Sequence, residues 1–174
     1  RKSLFAEGLW VGNLISESVR VSPQHQETLI NVGRYARHHG YVSAEGSNCG
    51  IDFFIGKNGE ISVTEINARW TGGLFPAEIL SQINNKRDAV PFFDVVPIEK
   101  KDAYTNFIDK HLVGEFDGDF AVLPIGFGCF PIPIEGTDHF YTWQAAIGDL
   151  SAFKEAKNKE LGNDVMPTAN IIEI

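Results

Sequence analysis

The chain predicts an α+β fold: a mainly antiparallel sheet packed by helices, followed by a smaller α/β extension. Three observations carry this. Two runs rich in β-formers flank Asn58-Gly59, the strongest short-range hairpin signal. Helical patterns with start signals, at Ser22-Pro23 and at Pro76, stand on either side of that hairpin. From residue 102 onward, helix and strand patterns alternate between Gly- and Pro-rich turns.

Taken in order, residues 4 to 21 read as one or two strands broken around Gly8 and Gly12. Ser22 caps a helix that runs to about His39, with Leu29, Val32, Gly33 and Ala36 on one stripe and Gly40 as its stop. Residues 43 to 50 form a small polar loop into the hairpin, and Arg69 to Gly73 form a loop out of it. A helix follows through about Ile83, with Ile79, Leu80 and Ile83 facing inward. Asn84-Asn85, two prolines and Glu99-Lys100-Lys101 mark residues 84 to 101 as a connector, which sets the expected domains at 1–90 and 91–174. The extension then reads as a helix at 102–112, a strand at 119–126, turns from Gly126 to Gly136, a strand at 139–146, a helix at 152–161 and a last strand at 170–174.

The hairpin carries the chemistry. A two-residue type I′ loop at Asn58-Gly59 faces Lys57 with Glu60 and brings Asp52 directly across from Glu65, their side chains about 5 Å apart. The two-residue period puts Asn67 and Arg69 on the Glu65 face, together with Phe54 and Val63, while Ile51, Phe53, Ile55 and Ile66 fill the other. Opposed carboxylates on a hairpin apolar on both sides call for a shared proton, a basic partner or a divalent cation. Two carboxylates and an amide oxygen are hard donors suited to Mg²⁺. Arg69 adds a planar fork for a phosphate or carboxylate.

This segment, Gly50-Ile-Asp-Phe, a hairpin, then Glu65-Ile-Asn-Ala-Arg69 followed by Thr71-Gly72-Gly73, resembles the C-terminal end of the catalytic core of ATP-grasp ligases. The resemblance spans residues 24 to 83. It implies an ATP-grasp C-terminal subdomain in which Asp52, Glu65 and Asn67 hold Mg²⁺, or Mn²⁺ in its place, bridging the phosphates of ATP. Asn67 and Arg69 then contact the nucleotide, and Arg69 is the catalytic contact to phosphate or the reacting acyl group. The activity implied is an ADP-forming ligase joining a carboxylate to the amine of an amino acid or peptide. The partners implied are N-terminal ATP-grasp subdomains of the same protein, since no Gly-x-x-x-x-Gly-Lys loop occurs here. The start at Arg1-Lys2-Ser3 also reads as a piece of something longer. Gly50 stands where some branches carry an arginine. Thr71, Gly72 and Gly73 let backbone approach a substrate beside a helix N-terminus, and Ser47 and Asn48 line an acceptor pocket.

Plainer readings stand beside these. The acid pair can be a turn-end pair bound to backbone amides, Arg69 a salt-bridge partner of Glu65 or Asp52, and residues 71–73 an ordinary connection. Cys49 as a nucleophile needs a neutral base, which His38 or His39 at a helix C-terminus is poorly placed to be. A non-catalytic nucleotide- or metal-binding scaffold module is the alternative to the ligase.

Composition bounds the rest. At 174 residues, 43% hydrophobic with 13 Phe, the chain builds a core rather than staying disordered. Net charge −8 without a basic cluster speaks against nucleic-acid and anionic-membrane partners. No apolar run reaches about 18 residues, and Cys49 and Cys129 show no paired spacing, which points to a reducing cytoplasm. The extension is the expected acceptor-side or homo-oligomer element.

Overall fold

The computed structural model describes residues 1–6, 9–42, 48–83, 86–114, 118–129, 133–134, 136–162 and 166–167. In chain order the elements are β1 (Lys2–Ala6), β2 (Leu9–Leu14), α1 (Pro23–His38), β3 (Gly50–Ile55), β4 (Ile61–Asn67), α2 (Leu74–Gln82), β5 (Ala89–Pro97), a 3₁₀ turn at Ile98–Lys100 running into α3 (Lys101–Lys110), β6 (Phe120–Cys129), β7 (His139–Gly148), α4 (Leu150–Leu161) and β8 (Met166–Pro167). The class is α+β, and the strands among the described residues pair antiparallel, with one isolated parallel bridge between Leu112 and Val122. No described helix is long and apolar enough to cross a membrane. The contacts divide the chain into residues 1–19 with 84–174, and residues 20–83.

In the first unit a sheet runs β1-β2-β5-β7-β6, with β8 also against β5. Residues 84 to 101, expected as a connector, instead hold the central strand β5. Its prolines misled the expectation, and backbone direction shows how the strand accommodates them. Ala89 and Ile15 exchange both backbone hydrogen bonds, at 2.8 and 2.9 Å, so odd residues of β5 turn their N and C=O toward β2 and even residues toward β7. Pro91 and Pro97 are both odd. Their missing donors face the side where β2 pairs only through Gly12–Phe92 and the Ile15–Ala89 bridge, and the long β7 ladder is untouched. Pro124 in β6 follows the same rule: Val122 donates outward to the His111 carbonyl at 2.7 Å, so even residues there point away from β7.

The alternate faces of these strands then bury Val90, Phe92, Val96, Phe120, Val122, Phe140 and Ala146 against Tyr104, Phe107 and Ile108 of α3 and Phe153 and Leu161 of α4. Asp149 caps α4, its carboxylate accepting from the Ser151 and Ala152 amides at 2.9 and 3.0 Å. β6 continues through Cys129, past the turn expected from Gly126. The strand expected at 170–174 lies outside the described residues.

Five polar side chains cross this core. Asp94 accepts from Lys157 Nζ at 2.5 Å, from Gln144 at 3.2 Å and from the Tyr104 hydroxyl, with Thr142 alongside. They come from β5, α3, β7 and α4, and all are buried. Burial first, then the Asp94 carboxylate, pushes the Tyr104 hydroxyl well above the usual phenol range. Burial lowers the Lys157 ammonium, against the pull of Asp94.

In the second unit α1 begins as the sequence predicts: Ser22 Oγ accepts from the His25 amide at 3.2 Å and Pro23 opens the helix. Its inward stripe of Leu29, Val32, Gly33 and Ala36 is buried or half-buried. In α2, Pro76 and Leu80 are buried, but Ile83 is exposed just past the helix end.

Candidate metal centre

The β3–β4 hairpin builds this region, and it closes differently from the expected two-residue loop. Gly56 donates to the Glu60 carbonyl at 2.8 Å and Gly59, with φ +80°, donates to the Gly56 carbonyl at 2.9 Å. Three residues, Lys57, Asn58 and Gly59, therefore make the loop, with the glycine supplying the left-handed position. Asn58 secures it by accepting from the Glu60 amide at 3.2 Å and donating to its carboxylate at 2.7 Å. His25 of α1 donates from Nε2 to the Gly59 carbonyl at 2.8 Å, joining helix to loop.

The shifted loop pairs Ile55 with Ile61, Phe54 with Ser62 and Phe53 with Val63. A bulge then leaves Thr64 unpaired and restores the expected partner of Asp52, so that Asp52–Glu65, Ile51–Ile66 and Gly50–Asn67 face each other. The acid pair is thus opposed, by two compensating one-residue shifts rather than by an unbroken ladder. Val63 lies on the Phe53 side, not with Asp52 as expected, because the bulge reverses the phase of β4.

Solvent sets the electrostatics. Asp52 and Glu65 are exposed and only Asn67 is buried, at 8%. Water screens the pair, so opposition alone does not compel a cation, contrary to the expectation from a doubly apolar hairpin. Asn67 Nδ2 donates to Asp52 Oδ2 at 3.1 Å. Among the described residues no group of three or more His, Cys, Asp or Glu gathers as a metal cluster. Chemically the donors still fit Mg²⁺: two carboxylates and one amide, all oxygen donors at one end of a hairpin.

Arg69 is exposed and lies two residues beyond β4, where its amide turns back to the Asn67 carbonyl at 2.8 Å. The strand period that was to carry it onto the Glu65 face has ended. Among the described residues it forms no ion pair with Asp52 or Glu65. Thr71 to Gly73 connect to α2, whose first residue, Leu74, donates to the Thr71 carbonyl at 3.0 Å; Gly73 caps the helix without a side-chain bond. Gly50 explains its own identity: a Cβ there would sit 2.4 Å from Thr71 Cγ2 and 3.4 Å from Asn67 Cβ. Side-chain absence lets the 69–73 loop close onto the hairpin base beside Asn67. Asn48 is exposed and its carbonyl accepts from the Tyr41 hydroxyl, while Ser47 lies outside the described residues. Cys49 donates weakly to the Gly50 carbonyl, 3.8 Å away, and His39 Nδ1 bonds the Tyr35 carbonyl.

Comparison with protein-family models, with curated proteins and with solved structures finds no match to this chain. The Thr64 bulge and the buried Asp94–Lys157 pair are what sequence reasoning missed. Only the bulge left a signal, a break in apolar phase between Val63 and Ile66.

Proposed function

We propose that the chain is the metal-bearing part of an ATP- and Mg²⁺-dependent ATP-grasp ligase that joins a carboxylate to an amine through an acyl phosphate. The opposition of Asp52 and Glu65 beside Asn67 supports this most strongly. Asp52, Glu65 and Asn67 would hold the cation through their carboxylate and amide oxygens. Mg²⁺, when bound, neutralises phosphate charge as the γ-phosphoryl group moves to the substrate carboxylate. Arg69 orients that phosphate or the acyl group with its guanidinium fork, and the N-terminus of α2 after Thr71-Gly72-Gly73 favours an anion nearby. The amine then displaces phosphate to give the amide. Positioning and electrostatics do this work, with little covalent chemistry asked of the protein. By the same resemblance, preceding subdomains of the same protein supply the adenine pocket.

The test is ADP release from ATP and Mg²⁺ by the full-length protein, offered candidate amino acids and peptides. ADP formed only with an acceptor, and abolished by Glu65→Gln, is the expected result. Tight ATP binding without turnover for every acceptor would favour the non-catalytic module instead.

A further inference from the structure

β4 carries one residue more than its pairing uses. Ile61 and Val63 share a face, but Ile66 comes three residues after Val63, a step that in an unbroken strand turns the side chain to the other side. The bulge at Thr64 absorbs the odd residue, and the apolar pairs Ile51–Ile66, Phe53–Val63 and Ile55–Ile61 all fall on one face. A strand lacking Thr64 would form the same six pairs in an uninterrupted ladder. Apolar packing therefore does not require the extra residue, and Thr64 itself is exposed.

What Thr64 adds is local. A bulge bends its strand and strengthens the right-handed twist, here between the hairpin loop and the Glu65–Asn67 end of β4. Its hydroxyl also donates across the hairpin to the Asp52 carbonyl at 3.1 Å. Thr64 thus touches the backbone of one acid and immediately precedes the other.

We propose that Thr64 is a positioning residue for this site: its bulge and hydroxyl set the angle at which Glu65 and Asn67 converge with Asp52 on a divalent cation. The inference rests on the metal reading above. Thr64 is not itself one of the proposed donors to the cation. It acts through the direction of two neighbours, as partners behind metal ligands do, and loss of such partners weakens metal binding by about 10- to 100-fold.

The experiment titrates Mn²⁺ into the full chain, following the free-ion paramagnetic resonance signal, for the parent, Thr64→Ser, Thr64→Val, a deletion of Thr64 and Glu65→Gln. Cation-free melting temperatures are measured alongside. Thr64→Ser keeps the hydroxyl and is expected to bind as the parent does. Thr64→Val and the deletion are expected to bind about 10- to 100-fold more weakly, while the melting temperature of the deletion does not fall, because its ladder is continuous. If the deletion does not fold, the contrast between Val and Ser decides. Parent-like affinity in Thr64→Val and in a folded deletion overturns the positioning role while leaving the metal site standing. A parent that binds no Mn²⁺, or a Glu65→Gln that binds as well as the parent, overturns the metal site and this inference with it.

Discussion

Lys157 and Asp94 meet at 2.5 Å where neither reaches solvent, and their pairing turns two costly charges into a tolerated pair. Lys157→Met leaves the Asp94 carboxylate buried without its cation and is expected to cost about 3–5 kcal/mol in chemical denaturation. Replacing both by apolar residues should recover much of that loss. At Gly50 the constraint is steric: Gly50→Ala drives a methyl against Thr71 and is expected to destabilise by about 1–3 kcal/mol, read from the denaturation midpoint. The two cases differ in legibility. Gly50 sits next to a recognisable motif, so its neighbourhood was readable although its reason was not. Asp94 and Lys157 lie 63 positions apart, on elements whose adjacency no local pattern reveals.

Elements with local signals were the ones the sequence announced. α1 has its cap, its proline and its inward stripe within one segment, and Ser22→Ala should cost about 1 kcal/mol by removing an acceptor for the His25 amide, measured by urea unfolding. The hairpin was announced by Asn58-Gly59, yet its loop holds three residues because apolar phase outranked turn preference. The observed register pairs Ile55 with Ile61 and Phe53 with Val63, whereas the two-residue loop would set Ile55 against Ser62. β5 was hidden for the opposite reason. Proline reads as a breaker until strand neighbours are known, and only the ladder shows that Pro91 and Pro97 turn their nitrogens from β7.

Across the whole molecule, acid should be the weak direction. Burial, opposed by the Glu160 carboxylate, lowers the buried His111 imidazole from its ordinary value of about 6.5. The folded chain therefore resists its protonation. Stability is complete above that ordinary value and is lost as pH falls through the lowered one. Glu160 is held below the carboxylate range, first by its bond from Lys110 at 2.6 Å, so its contribution is also lost on acidification, at lower pH. Urea midpoints should decline from about pH 6.5 downward, and His111→Phe should flatten the upper part of that decline. The sheet order was hard to read locally, because β1 and β2 are separated in sequence from β5, β6 and β7 by the whole of residues 20–83. Asp52 and Glu65 do face each other, but through a three-residue loop and a bulge whose shifts cancel.

Calorimetric titration of Mg²⁺ into the parent and into Glu65→Gln and Asp52→Asn tests the metal site most directly. The account predicts one site in the parent, affinity reduced more than about tenfold in each variant, and cation-free stability kept or raised as carboxylate repulsion is relieved. Parent-like Mg²⁺ affinity in both well-folded variants would contradict it.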